Sequence, residues 1–227
     1  MSLPSAVDPI RLGISACLLG DLVRFDGGHK RDPFLVDLLG SFVEWVRVCP
    51  EVELGLGTPR EALRLVRRAD DIRMVNTRSG RDITDAMRTW ARARVEALTG
   101  ERLDGFVLKK DSPSCGMERV KLYVEGGVGE RKGRGLFADA LLQRFPYLPV
   151  EEEGRLSDSR LRENFVERVF AYVRLRAFLE SRWTVGDLVR LPLARAREAS
   201  AALSFGERER PVGERLVGEI LGRLDVL

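Results

Sequence analysis

The chain has 227 residues, 44% of them apolar and 32% charged, with a formal net charge of +3. This reads as a globular chain of one large domain, or one domain with an appendage. It excludes a helical membrane span, since no apolar run reaches the roughly 20 residues a bilayer requires; the slight basic excess, 14 arginines against 11 acids in residues 154–227, is no nucleic-acid footprint in its own right.

Residues 1–8 lack the basic region and apolar core of a secretory signal, so a cytoplasmic location is the expectation. Residues 11–16 predict a short buried strand that runs into a loop at Cys17. Residues 34–42 have helical spacing, with Asp32-Pro33 as the start. Residues 42–48 lead as a second strand into Cys49-Pro50. Two β-like runs follow at 62–66 and 71–76, with a turn at 79–82. Residues 85–98 predict a helix rich in Ala and Arg, ended by Gly100. Residues 105–109 form a third core strand, which enters the loop carrying Cys115. A glycine-rich stretch, 126–135, reads as a flexible flap over the site; it lacks the order of a phosphate-binding loop. A helix at 136–145 and a short strand at 148–150 complete the pattern.

Strands alternating with helices predict an α/β, Rossmann-like layered fold: a central, mostly parallel sheet flanked by helices. The acidic run Glu151-Glu152-Glu153-Gly154 reads as a boundary, giving a domain at 1–153 and a helical extension at 154–227. In the extension, 157–180 is one amphipathic helix with Leu161, Phe165, Val169, Tyr172 and Val173 on its apolar face. Residues 182–227 are helical in pattern but weaker.

Cys17, Cys49 and Cys115 are the only cysteines. An odd, sparse set argues against a disulfide scaffold. Each lies after a predicted strand, so all three can converge at one sheet edge, where ligands of such sheets sit. Three thiolates can fill three corners of an iron–sulfur cluster and leave one iron open for Lewis-acid chemistry. The bland alternative is three separate buried thiols. Zinc is disfavoured, with no C-x-x-C pair and one histidine. A nucleophilic Cys115 lacks a histidine partner and an arginine-closed phosphate loop.

Around the cysteines, Glu51 offers a carboxylate for proton transfer, and Glu53 reads as a surface acid. Ser112 and Ser114 flank Pro113; their hydroxyls either meet a ligand or cap a turn. Lys109 and Lys110 either attract a polar substrate or are solvated. Arg24 and Asp26 either shape a loop near Cys17 or make a turn. His29 reads as an exposed loop residue.

The runs Ser15-Ala16-Cys17-Leu18-Leu19-Gly20, Val23-Arg24-Phe25-Asp26-Gly27, Cys49-Pro50-Glu51-Val52-Glu53 with Pro59-Arg60, and Lys110-Asp111-Ser112-Pro113-Ser114-Cys115-Gly116 together resemble the DUF523 family. Its characterised members are thiouracil desulfurases, also called desulfidases. The resemblance spans residues 11–150. It implies a 4Fe-4S cluster on Cys17, Cys49 and Cys115 with one iron free, and non-redox replacement of a thiolated pyrimidine's sulfur by water. It also implies Glu51 as acid/base and Ser112 as a substrate-orienting group, with Ser114, Lys110, Arg24 and Asp26 as substrate-binding candidates. The segment 164–172 is similar to the start of the DUF1722 domain, which follows DUF523 in proteins acting on thiouridine in transfer RNA. That similarity decays after Leu188: a His-rich basic stretch is expected near Val189, and Leu191-Pro192-Leu193-Ala194-Arg195 stands there. The expected partner is therefore a small thiolated nucleobase, with thiolated tRNA, or a non-catalytic cluster-binding role, as the alternatives; no membrane partner is expected.

Overall fold

A computed structural model describes residues 9–69, 71–124 and 129–187. Four strands form a parallel sheet: β1 (Ile10–Ser15), β2 (Val43–Val48), β5 (Gly105–Leu108) and β8 (Val150–Glu152), in the order β2-β1-β5-β8. β5 is buried along its whole length, as expected of a strand covered on both faces. One face packs against α2 (Thr84–Ala97) and α3 (Leu136–Arg144) through Ala91, Val95, Phe106 and Phe137. The other face carries Leu12, Ile14 and Val107 against Leu35, Phe165 and Val169. Leu35 comes from an irregular helical segment, Phe34–Leu38 then Leu39–Ser41, where the sequence predicts one regular helix. Phe165 and Val169 come from α4 (Ser159–Glu180). The α/β layered class expected from the sequence is therefore the fold. Gly13 is required in β1, because a Cβ there would stand 2.1 Å from the Phe106 ring of β5.

A second sheet was not legible as such. It has the order β4-β3-β6-β7, built from β3 (Leu63–Arg68), β4 (Asp71–Asn76), β6 (Val120–Val124) and β7 (Glu130–Gly133). Its inner residues Leu65, Met74, Val120 and Leu122 pack with Met87 and Leu136 from the starts of α2 and α3. β7 lies where the sequence predicts a flexible loop; it pairs antiparallel with β6. Residues 125–128 of that loop lie outside the described residues. α2 ends in a further helical turn, Leu98–Glu101, that contains Gly100; the left-handed residue is Arg102, at φ 51°.

Glu151 and Glu152 belong to β8 and are buried, and Leu156 packs into the core with Phe165. The chain divides into two compact units, Met1–Arg174 and Leu175–Leu227. In the second, the Phe178 and Trp183 rings lie 5.5 Å apart, and the Thr184 N–H donates to the Asp187 carboxylate at 3.0 Å. The weaker helical pattern and the decaying similarity beyond Asp187 lie outside the described residues. No helix among the described residues is long and apolar enough to cross a membrane.

Candidate active site

β1 lies between β2 and β5, and all three run parallel, so their carboxyl ends share one edge. The chain leaves each of these ends into a loop that bears a cysteine. Cys17 follows β1 in a tight turn, Ala16–Leu19, closed by Gly20 at φ 100°. The Cys17 carbonyl accepts N–H bonds from Gly20 and from Lys30, which folds the intervening loop back over the edge. Cys49 directly follows β2, and Pro50 opens the short helix α1 (Pro50–Glu53), where its missing N–H costs nothing. The Cys49 N–H donates to Glu53 Oε1 at 3.0 Å, and Glu53 also pairs with Arg94 at 2.9 Å. Glu53 is thus a structural acid.

The Cys115 loop is held at several points. Ser112 Oγ accepts the N–H groups of Ser114 and Cys115, at 3.2 and 3.0 Å. The carbonyls of Pro113 and Ser114 accept the first N–H groups of α3, from Leu136, Phe137 and Ala138. Those donors would otherwise be orphaned. Ser15 Oγ accepts the Lys109 N–H at 3.0 Å, which ties the start of this loop to the end of β1.

The three cysteines line one cavity of about 330 Å³, together with Glu51, Ser112, Arg24, Arg60, Lys109 and Lys110. A larger cavity of about 770 Å³ lies beside α2 and α3. Six of its seven charged wall residues pair, as Arg88–Asp71, Arg144–Glu96 and Arg134–Asp139, and it holds no thiol. Chemistry, not size, marks the smaller one.

All three thiols are free. Burial pushes Cys17 up to about 12, against the pull of Lys109. Burial and then the Glu51 charge push Cys49 up to about 11. Burial and the Glu51 charge hold Cys115 well above the ordinary thiol range. Each thiol therefore keeps its proton until a positive group replaces it. Among the described residues, no three His, Cys, Asp or Glu side chains stand close enough to grip one metal ion. A cluster does not ask the three thiols to meet on one ion, since each cysteine binds a different iron. The cavity wall holds five Lys and Arg residues against Glu51 and Asp111. That excess suits an anionic group bearing three thiolates. The donor set fits an iron–sulfur cluster.

The sequence model of the 2-thiouracil desulfurase family matches residues 12–153, which contain every element of this site. The chain belongs to that family. Its match ends before the helical extension. The solved structure of a 4Fe-4S-dependent thiouracil desulfidase, TudS of the DUF523 family, superposes with a TM-score of 0.54 at 32% identity, covering 68% of this chain and 98% of the other. The uncharacterised protein YbbK of Bacillus subtilis (strain 168) is 28% identical over 147 residues, covering 61% of this chain and 93% of its own.

In this desulfurase, Cys17, Cys49, Cys115, Glu51, Ser112, Arg24 and Lys110 all reach the cavity. Two sequence candidates do not. Asp26 is exposed; its carboxylate accepts the Gly28 N–H at 3.0 Å and faces Arg24 at 3.4 Å, as a turn residue does. Ser114 is fully buried behind the loop, and its carbonyl caps α3. His29 is exposed, as expected, with Nδ1 accepting the Arg31 N–H. Sequence reasoning assigned nothing to Ser15 or Arg60. Arg60 had a signal, an arginine after proline within a matched run; Ser15 had only its place two residues before Cys17.

Proposed function

We propose that this chain is an iron–sulfur-dependent, non-redox desulfidase that converts a thiolated pyrimidine, 2- or 4-thiouracil, to uracil and sulfide. The observation that carries the reading is the meeting of Cys17, Cys49 and Cys115 around one cavity that also holds Glu51. Membership in the 2-thiouracil desulfurase family and the likeness to TudS support it. The three cysteines would hold a 4Fe-4S cluster and leave one iron without a protein ligand. Bound there, the cluster supplies a Lewis acid with affinity for soft thiocarbonyl sulfur.

The reaction exchanges no electrons: water supplies the oxygen, a C=S bond gives way to C=O, and both water protons leave with the sulfide. Glu51 is the group that takes a proton from the attacking water and passes it to the departing sulfur. Ser112 Oγ already accepts two N–H bonds, so its own O–H is free to donate to the substrate. Arg24 and Lys110 face the pyrimidine and stabilise negative charge as it develops. Lys109 lowers the cost of a thiolate at Cys17.

The test is anaerobic reconstitution followed by incubation with 2- and 4-thiouracil. Equal amounts of uracil and sulfide are expected without added reductant. A fully loaded cluster with no turnover of either base would instead mark a cluster-binding interaction module. Turnover of thiolated tRNA that exceeds the free base and falls steeply with salt would move the substrate to RNA.

A further inference from the structure

We infer that Arg60 is the positioning residue that keeps the Glu51 carboxylate in the cavity, and that it works through the same two oxygens the Cys49 thiol contacts. The inference rests on the reading of Glu51 as acid/base.

The Arg60 side chain is only 8% exposed and that of Glu51 12%, with Arg60 Nη2 3.7 Å from Glu51 Oε2. Arg60 Nη1 donates to the Val23 carbonyl at 2.9 Å, to the Gly57 carbonyl at 3.0 Å and to Thr58 Oγ1 at 3.3 Å. The Arg60 N–H donates to the Phe25 carbonyl at 2.8 Å. One residue therefore ties three wall segments together: 23–25, the start of α1, and its own loop. Cys49 Sγ lies 3.7 Å from Glu51 Oε2 and 3.8 Å from the Val23 carbonyl. Both of those oxygens are also Arg60 partners.

The overlap has a consequence once Cys49 serves as a ligand. A sulfur bound to iron has no proton to donate, so neither oxygen keeps its S–H contact. Glu51 would then face a sulfur of like charge and swing toward water. Arg60 remains beside both, hydrogen-bonded to the carbonyl and ion-paired with the carboxylate. Its planar fork reaches a carboxylate and a carbonyl at once, which a lysine ammonium on a flexible stem does not reproduce.

The test uses the reconstituted holoenzyme with 4-thiouracil. Arg60→Ala is expected to lower kcat about 10- to 100-fold while KM changes less than about threefold, as misplacement of a reacting group does. Iron and sulfide content stays at the wild-type level. Amide exchange across 23–25 rises, whereas Glu51→Gln leaves it unchanged. In a Glu51→Gln background, Arg60→Ala costs less than about a further twofold, because the two act as one unit. Added guanidinium restores part of the kcat of Arg60→Ala. Arg60→Lys, which keeps the charge and loses the fork, falls between wild type and Arg60→Ala and covers the case in which the alanine variant fails to fold. Wild-type kcat in either variant while Glu51→Gln is impaired, or an undiminished second loss in the double variant, would overturn the role of Arg60. Full kcat in Glu51→Gln would instead overturn the reading of Glu51 on which the inference rests.

Discussion

Lys109 and Glu153, 44 residues apart, close an ion pair whose side chains are only 14% and 11% exposed. The other Glu153 oxygen accepts the Lys110 N–H at 2.7 Å. The neighbouring Glu152 accepts the Met117 N–H at 2.7 Å. Two consecutive carboxylates thus grip the segment 109–117 at both ends, with Cys115 between them. The acidic run is a brace for the Cys115 loop.

Glu153→Gln should loosen that brace. It keeps the carboxamide acceptor but removes the charge facing Lys109, which should destabilise the fold by about 1–3 kcal/mol. Thermal melting under anaerobic conditions measures this. The reconstituted variant should also lose iron to a chelator faster than wild type. Unchanged melting and unchanged iron loss would assign the brace no weight.

Gly135→Ala tests how tightly α3 sits against the Cys115 loop. A Cβ at Gly135 would stand 2.4 Å from the Ser114 carbonyl carbon and oxygen, and 2.8 Å from the Cys115 nitrogen. These atoms are backbone, so the loop must move. A loss of about 1–3 kcal/mol and lower iron content per chain are expected. Circular dichroism melting and an iron assay check both.

The raised thiol values predict slow alkylation of the cluster-free protein. At pH 8, Cys49 at about 11 holds roughly 100-fold less thiolate than a thiol at the ordinary 9.0. Iodoacetamide should therefore label all three cysteines far more slowly than a free thiol. The rate should climb about tenfold per pH unit until the group titrates. The linkage sign follows: a thiol whose folded value is raised gives stability that is present below 9.0 and lost as pH rises toward 11 at Cys49 and 12 at Cys17. Cluster-free protein should melt at lower temperature at pH 10 than at pH 8. Rapid labelling at pH 7 would contradict the burial of these groups.

Glu51→Gln should leave iron and sulfide content intact and lower kcat by at least about 100-fold, the usual scale for a positioned acid/base. Single-turnover kinetics on 4-thiouracil separate this from a binding defect. A parallel fall in cluster content would assign Glu51 to the architecture instead.

The cysteine-bearing loops were legible because each follows a short apolar strand and each carries Pro or Gly nearby. Which strands are neighbours was not, since adjacency of β1 to both β2 and β5 depends on long-range pairing. The second sheet was half legible: β3 and β4 read as strands, whereas β7 falls in the stretch read as a flexible flap, and the charged Lys121, Glu130, Arg131 and Lys132 leave β6 and β7 little apolar pattern. Burial of Glu151 and Glu152 was not legible, because carboxylates are seldom buried. Here Glu151 meets Arg155 at 2.7 Å and Glu152 meets the Met117 N–H, partners that only the fold supplies. Asp26 and Ser114 show the converse: both lie within matched runs, yet one side chain closes a turn and the other lies behind the loop. Arg60 escaped notice because its partner Glu51 sits on another segment, and no local spacing announces the pair.

Iron content after anaerobic reconstitution tests the three-cysteine cluster most directly. Wild-type protein should bind close to the four irons and four sulfides of one 4Fe-4S cluster, while Cys17→Ala, Cys49→Ala and Cys115→Ala each fall well short and lose the cluster's visible absorption. A full complement of iron and sulfide in any one of these variants would contradict the account.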